Sequence, residues 1–530
     1  MSEQKEGNGV KTIEELSEDK GGLERKLTFG RAVGVMGGVI IGSGIFYTLS
    51  YVLDYSHGNT AITVMAWVLG GLLCLGASMC FAELGTIMPA SGGTYLYISR
   101  IYKKTGPLVA FTMGWSDALL GIPAGNTAIA LVAATYIGTL LGGFSALQVS
   151  IVAAGIVVII GVVNMFGAKV GSALSTVLLY IKVAAILGVI VTCFAFGGNT
   201  GDPIAFVNTT GEGSVFTALV FSVVAVLWCF DGWNSICHMG GEIQNPKKNI
   251  SRVMITTLLG ITIIYLMFNL AILHVAPVKD IIASENITFD VMKTIFGKGA
   301  AVVVTVCIVC SVLGSFNSSV LIYPREIYAM ACDHRWFSVF RRVSKKTNEP
   351  FIADIYLIVM MVFYCFAASV RDLVNICTLN SWIYFLFVIA GVIVLRKKKP
   401  ELERSYKVPL YPVLPIVVGM FALTMLVANF IMDPGALVGL VIPLTGIPAY
   451  FAFGAYNKKH GYMIEIEIPV KMLVTCARTE RPHGALLQFD TGIRHGMYRI
   501  GGRLRRYDVS CTGVAVGIPP LPCWISNLWP

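Results

Sequence analysis

"GGVIIGSGIF", residues 37–46, decides how this chain folds. It lies within an apolar stretch long enough to cross a membrane as one helix, yet Gly42, Ser43 and Gly44 sit near its middle. A glycine costs a helix about 1 kcal/mol relative to alanine. "LWCFDGWNSICHMGGE", residues 227–242, repeats the anomaly: an aspartate, a glycine and an asparagine interrupt a second apolar stretch. Interrupted segments at corresponding positions of two halves are the mark of an inverted repeat with its binding site at the breaks. Lipid tolerates non-helical backbone only where protein covers it or a cavity receives it. The alternative is close helix packing, as a GxxxG pair such as Gly34 and Gly38 allows. No GK[ST] follows "GSG", which argues against a phosphate loop.

The whole chain agrees with a membrane setting. It has 530 residues, 55% hydrophobic and 13% charged, where soluble domains carry about 25% charge. Apolar stretches of spanning length fall at about 29–53, 60–88, 107–141, 147–165, 171–197, 214–241, 252–276, 299–331, 352–369, 373–395, 409–431 and 435–456, giving twelve spans. The first and sixth are the broken ones. Residues 1–27 are polar and acidic, unlike a cleavable signal, and are read as a cytoplasmic N-terminal segment. Basic clusters fall in alternate loops: Arg100, Lys103 and Lys104; Lys247, Lys248 and Arg252; Arg335 to Lys346; Arg396 to Lys399. That bias places both termini in the cytoplasm. The net charge of +10 is spread over these loops, so no nucleic-acid partner is expected. Most cysteines lie in apolar spans, and neither disulfides nor a metal site are expected.

An unwound helix exposes amides on one side of the gap and carbonyls on the other. The amide end favours a carboxylate and the carbonyl end an ammonium. Together they match a zwitterionic α-amino acid, without choosing among amino acids.

The residues also resemble the amino acid–polyamine–organocation transporters, and within them the L-amino-acid-transporter branch that includes bacterial serine/threonine and alanine-serine-cysteine exchangers. The likeness rests on "IIGSGIF" (40–46), "FAELGTIMPASGGTYLY" (81–97), "DGWN" (231–234), "GEIQNPKKNI" (241–250), "REIYAMACD" (325–333) and "KPELERSYKVPLYPVLP" (399–415), and covers about residues 28–460. It implies an all-α membrane protein with the LeuT-type five-plus-five inverted repeat, two extra C-terminal helices and discontinuous helices 1 and 6. It further implies that amides around Gly42, Ser43 and Gly44 hold a substrate carboxylate, and that carbonyls of Ile40, Trp228 and Asp231 receive the amino group. Trp228 matches an aromatic gate, or is a packing tryptophan, and Asn234 would add a polar contact. Asn126 and Thr127 fall where the branch lines its side-chain pocket; buried polar groups there favour serine, threonine or alanine.

Lys182, in "LLYIKVAAI", lies about ten residues from either end of its span, too deep to reach the interface. A buried lysine needs a partner. In sodium-independent relatives a lysine here stands in the place of a coupling sodium ion and bridges the first span's backbone to hydroxyls of the eighth. The candidates are Ser311, Ser315 and Ser318; the alternative is a structural ion pair. Glu83 and Arg325, near cytoplasmic span ends, are expected to pair with inner-loop groups or to hold the inside-closed state, Pro324 to kink the eighth helix, and His238 and His274 to be interfacial. Asp117 has no evident partner.

The resulting expectation is a sodium-independent exchanger of small neutral amino acids in the cell membrane, with proton-coupled symport the near alternative and an amino-acid-sensing receptor a distant one. No enzyme constellation is visible and no cofactor is expected. Animal members of the branch join a glycoprotein through a cysteine in the loop after the third span; "LLGGFSAL" at 140–147 has none, so no heavy-chain subunit is expected. Residues 461–530 change in character, with one lysine and seven arginines against 21 and 11 before them. They lack a helical or strand period and read as a cytoplasmic appendage, or as a shifted frame or fused fragment.

Overall fold

The computed structural model describes residues 23–102, 105–206, 214–284, 286–367, 370–432, 441–460, 498–500 and 503–505. The expectations for residues 1–22, for Lys103 and Lys104, and for most of the tail lie outside them.

Residues 13–450 form one unit. Among the described residues, six helices are long and apolar enough to cross a membrane: Thr60–Ile87, Gly106–Leu140, Ala146–Asn164, Ala168–Phe196, Pro246–Val275 and Val302–Cys332. Their starts follow from local chemistry. Asn59 accepts from the Ile62 amide, Ser145 and Gln148 form a reciprocal cap, and Pro246 occupies a first turn where its missing N–H is harmless. Phe29–Ile40 and Val215–Cys229 are apolar but too short to span. These are the two segments whose glycines and polar residues interrupt them.

Helix Pro246–Val275 packs along Thr60–Ile87, and Lys298–Ile322 along Ala168–Phe196, while the short Phe29–Ile40 lies against Ala168–Phe196. Small residues permit the approach: a Cβ at Gly34 would lie 2.2 Å from Thr176 Oγ1, and one at Gly71 2.3 Å from Thr262 Cγ2. The outer faces are apolar. On Ala146–Asn164, Ile151, Val158, Ile159 and Val162 are all exposed, a surface made for lipid.

Pro324 divides the eighth predicted span at Tyr323, with Lys298–Ile322 before it and Pro324–Cys332 after, where a kink was expected. Helices Gly93–Ile101, Val278–Ala283 and Ile287–Phe296 were not anticipated, being too short and too polar to register as spans. The second unit comprises residues 1–12 and 451–530. There Tyr498–Ile500 pairs antiparallel with Arg503–Arg505, Ile500 opposite Arg503.

Candidate functional site

The first break begins where helix Phe29–Ile40 stops and resumes as a single 3-10 turn, Gly44–Phe46, before helix Thr48–Tyr55. The second separates Val215–Cys229 from the 3-10 turn Ser235–His238. Gly232 makes it possible: its φ is +90°, and a Cβ there would lie 2.3 Å from Val39 Cγ1, so the two breaks meet with no room for a side chain.

Lys182 is fully buried against the first break. Its Nζ donates to the carbonyls of Gly38 (2.8 Å) and Ile41 (2.6 Å) and to Ser315 Oγ (2.9 Å). The Ser315 hydroxyl lies 2.9 Å and 2.8 Å from the same two carbonyls. Ser311 Oγ reaches the Gly42 carbonyl at 3.2 Å and that of Ile41 at 3.4 Å. A lysine and two serines thus satisfy carbonyls that the unwinding would leave bare in a medium without water. Ser318 turns elsewhere: its hydroxyl bonds Ser175 Oγ at 2.9 Å, so the expected contact to Lys182 is corrected. It packs on Gly38, where a Cβ would lie 2.2 Å from its oxygen.

A cavity of about 280 Å³ opens between the breaks. Gly42, Ser43, Gly44, Asn126, Trp228, Asp231 and Asn234 line it, as does Ile40. The Ile40 carbonyl is occupied, accepting from Tyr265 Oη at 3.1 Å and from the Gly42 amide at 2.9 Å, which corrects its reading as an open acceptor. Trp228 is 39% exposed, and its side chain hydrogen-bonds that of Tyr47. Asn234 donates to Thr94 Oγ1 at 3.3 Å. Asn126 bonds within its own helix, to the Ile122 carbonyl at 2.8 Å. Thr127 does not line the cavity: its hydroxyl is shared between the carbonyls of Pro123 (2.7 Å) and Met361 (3.1 Å), fastening two helices, because the next residue on a helix points about 100° away.

Several lining residues were not foreseen. Tyr384 and Phe385 come from helix Val370–Lys398, and Glu326 and His238 enter from the same clefts. His238 was expected at an interface; it is buried, with its ring 5.7 Å from that of Tyr323. Asp117 acquires a partner, the side chain of Glu326. An acidic residue beside Arg325 in an apolar span was a usable signal for Glu326, the same that marked Lys182. His274 lies against Phe194, ring centroids 5.4 Å apart.

Beyond the cavity a buried polar layer ties the elements together. Arg325 donates through Nε to Glu242 Oε1 (2.7 Å), approaches Glu349 Oε2 with Nη2 (2.6 Å) and caps the Leu321 carbonyl (2.6 Å). Glu83 accepts from Arg396 Nε at 2.8 Å and from the Val408 amide at 2.7 Å. Both charges pair with groups at or beyond the ends of neighbouring helices.

The amino acid permease family model matches residues 27–453, the span that carries both breaks and the cavity. This chain is an amino acid permease. Its likeness to the serine/threonine exchanger SteT of Bacillus subtilis (strain 168) is 31% identity over 438 residues, 81% of this chain and 97% of that one. The human cystine/glutamate transporter is 28% identical over 452 residues, covering 83% and 88%. The large neutral amino acids transporter small subunit 2 of Oryctolagus cuniculus is 27% identical over 463 residues, covering 85% and 84%. The permease therefore belongs to the amino acid–polyamine–organocation superfamily beside the L-amino-acid transporters, and is a multi-pass membrane protein.

Proposed function

We propose that the permease exchanges small neutral L-amino acids across the cell membrane without sodium, as a twelve-span carrier of inverted-repeat design with both termini in the cytoplasm. The observation that carries this reading is the Lys182 ammonium seated on the Gly38 and Ile41 carbonyls and Ser315 Oγ. Carbonyls and a hydroxyl at that spacing suit a small cation, and the chain supplies one itself. The substrate's carboxylate is assigned to the amides of Ser43 and Gly44, which face the cavity and have no backbone acceptor among the described residues. The serine/threonine exchanger among the relatives supports a small substrate, as does the polar Asn126 in the cavity wall. No covalent heavy-chain partner is proposed, since residues 140–147 contain no cysteine.

The test is uptake of radiolabelled L-serine into proteoliposomes, with and without unlabelled serine inside, in sodium-free buffer. Uptake confined to preloaded vesicles is the expected result. Equal uptake into empty vesicles, or an absolute need for sodium, would sink the exchange or the sodium-independence respectively.

A further inference from the structure

Helix Gly106–Leu140 is not regular: residues Asp117–Gly121 form a π turn, with the Ile122 amide bonded to the Asp117 carbonyl. Such bulges recur at functional sites. This one turns an acidic side chain into the cavity, and the absence of a side chain at Gly121 makes the room, since a Cβ there would meet Asp117 Oδ1 at 2.5 Å. Asp117 lies nine residues before Asn126 in sequence, roughly 14 Å along the helix. Across from it stands Glu326, and the two side chains share a hydrogen bond. A bond between two carboxyl groups needs a hydrogen that neither has when ionised, which makes the pair a place for one proton.

The third member is His238. Its Nδ1 lies 3.4 Å from Glu326 Oε2, and that nitrogen has no hydrogen-bond partner among the described residues. Neither does Glu326 Oε1. Both residues are almost wholly buried, at 3% and 1% exposure, and both border the cavity. The imidazole is held by shape: a Cβ at Gly93 would touch its ring at 2.9 Å, and Tyr323 packs on it. The surrounding charges are engaged elsewhere. Arg325 turns to Glu242 and Glu349, with Asp354 beside them, and Arg100 to Asp333, which also accepts from Tyr95. Tyr384 stands near Asp117 with its hydroxyl 3.4 Å from Thr112 Oγ1.

We propose that Asp117, Glu326 and His238 form a proton-binding site in the cavity wall, and that substrate binding raises the number of protons it holds. This rests on the amino-acid-carrier reading for its second half only. With one proton the carboxyl pair carries a single negative charge, and Asp117, half-buried, is the member still wetted by the cavity. A bound amino acid displaces that water. Desolvation disfavours the charged form, so a second proton is taken from solution, onto the ionised carboxylate or onto His238 Nδ1 as imidazolium. The balance is one proton in per substrate bound, and one released when the substrate leaves.

The experiment has two arms on the purified full chain. Infrared spectra at neutral pH, without substrate, should show a protonated-carboxyl band that Asp117→Asn and Glu326→Gln each diminish, beyond the share that Glu349→Gln removes. The band that Glu349→Gln leaves behind should disappear as pH is raised, which tests the site even where a variant at Asp117 or Glu326 fails to fold. If both folded variants keep the full band, the pair holds no proton and the proposal is wrong. The second arm adds L-serine to weakly buffered protein with a pH indicator. Proton uptake that is absent in Asp117→Asn is expected. Serine binding, seen by calorimetry, with no proton uptake overturns the coupling. An infrared result as expected with no serine binding at all would uphold the proton site and overturn the serine reading instead.

Discussion

The two breaks solve one problem in opposite ways. At residues 41–43 the freed carbonyls are taken by Lys182, Ser311 and Ser315, all from neighbouring helices, and Tyr265 holds Ile40. At residues 230–234 the chain relies on itself: Phe230 and Asp231 bond back to Leu227 and Trp228, Gly232 supplies a left-handed turn, and Trp228 and Asp231 stay exposed to the cavity. The first break has its carbonyls filled by side chains from outside, and the second closes its own backbone while Asn234 reaches Thr94.

Removing the outside donor is the severest way to break this contrast. Lys182→Met leaves the Gly38 and Ile41 carbonyls without their charged donor, and serine exchange in proteoliposomes should fall by at least about 100-fold, near 2.7 kcal/mol. Exchange within about threefold of the unsubstituted protein would show that the first break needs no cation. Next comes Gly232→Ala, which forces a side chain into a positive-φ position and against Val39. The conformation alone costs about 1–2 kcal/mol, so exchange should fall roughly tenfold or more. Rates near normal would mean that the second break does not need its turn. Ser315 and Ser318 sharpen the comparison: Ser315→Ala should cost exchange roughly three- to tenfold, and Ser318→Ala much less, because only the former touches Lys182. Equal losses would dissolve the distinction.

The smallest effect concerns the layer beyond the cavity. Burial pushes the Glu349 carboxyl up to about 8, with Glu242 and Asp354 adding to the rise and Arg325 opposing it. The folded protein therefore binds more protons than the unfolded chain between the ordinary carboxylate range and about pH 8, and stability falls as pH rises through that window. Glu349→Gln should flatten the decline in melting temperature in detergent between pH 5 and about 8. An unchanged slope would assign the decline to another group.

Hydropathy and misplaced glycines made much of this legible. Six apolar stretches became helices of spanning length among the described residues, and a lone lysine in one of them led directly to the first break. The sequence could not say which face of a helix meets which neighbour. Ser311, Ser315 and Ser318 lie within about 60° of one another around their helix, and only the position of Ser175 decides that Ser318 turns away. Thr127 failed for the same reason, the Met361 carbonyl being invisible from residue 127. Asp117, Glu326 and His238 stood on three segments more than 80 residues apart, each looking like an isolated polar residue. Only packing brings them together.

The seat of Lys182 has a consequence for the energetics of transport. A sodium ion in that place would arrive from one compartment and leave to the other, and its gradient would drive the cycle. An ammonium on a side chain returns to where it began, so it completes every turnover with no change in its own free energy. It can shape the states of the cycle but cannot push it. Whatever direction the flux takes must come from species that do cross: the amino acids on the two sides, and any proton that travels with them.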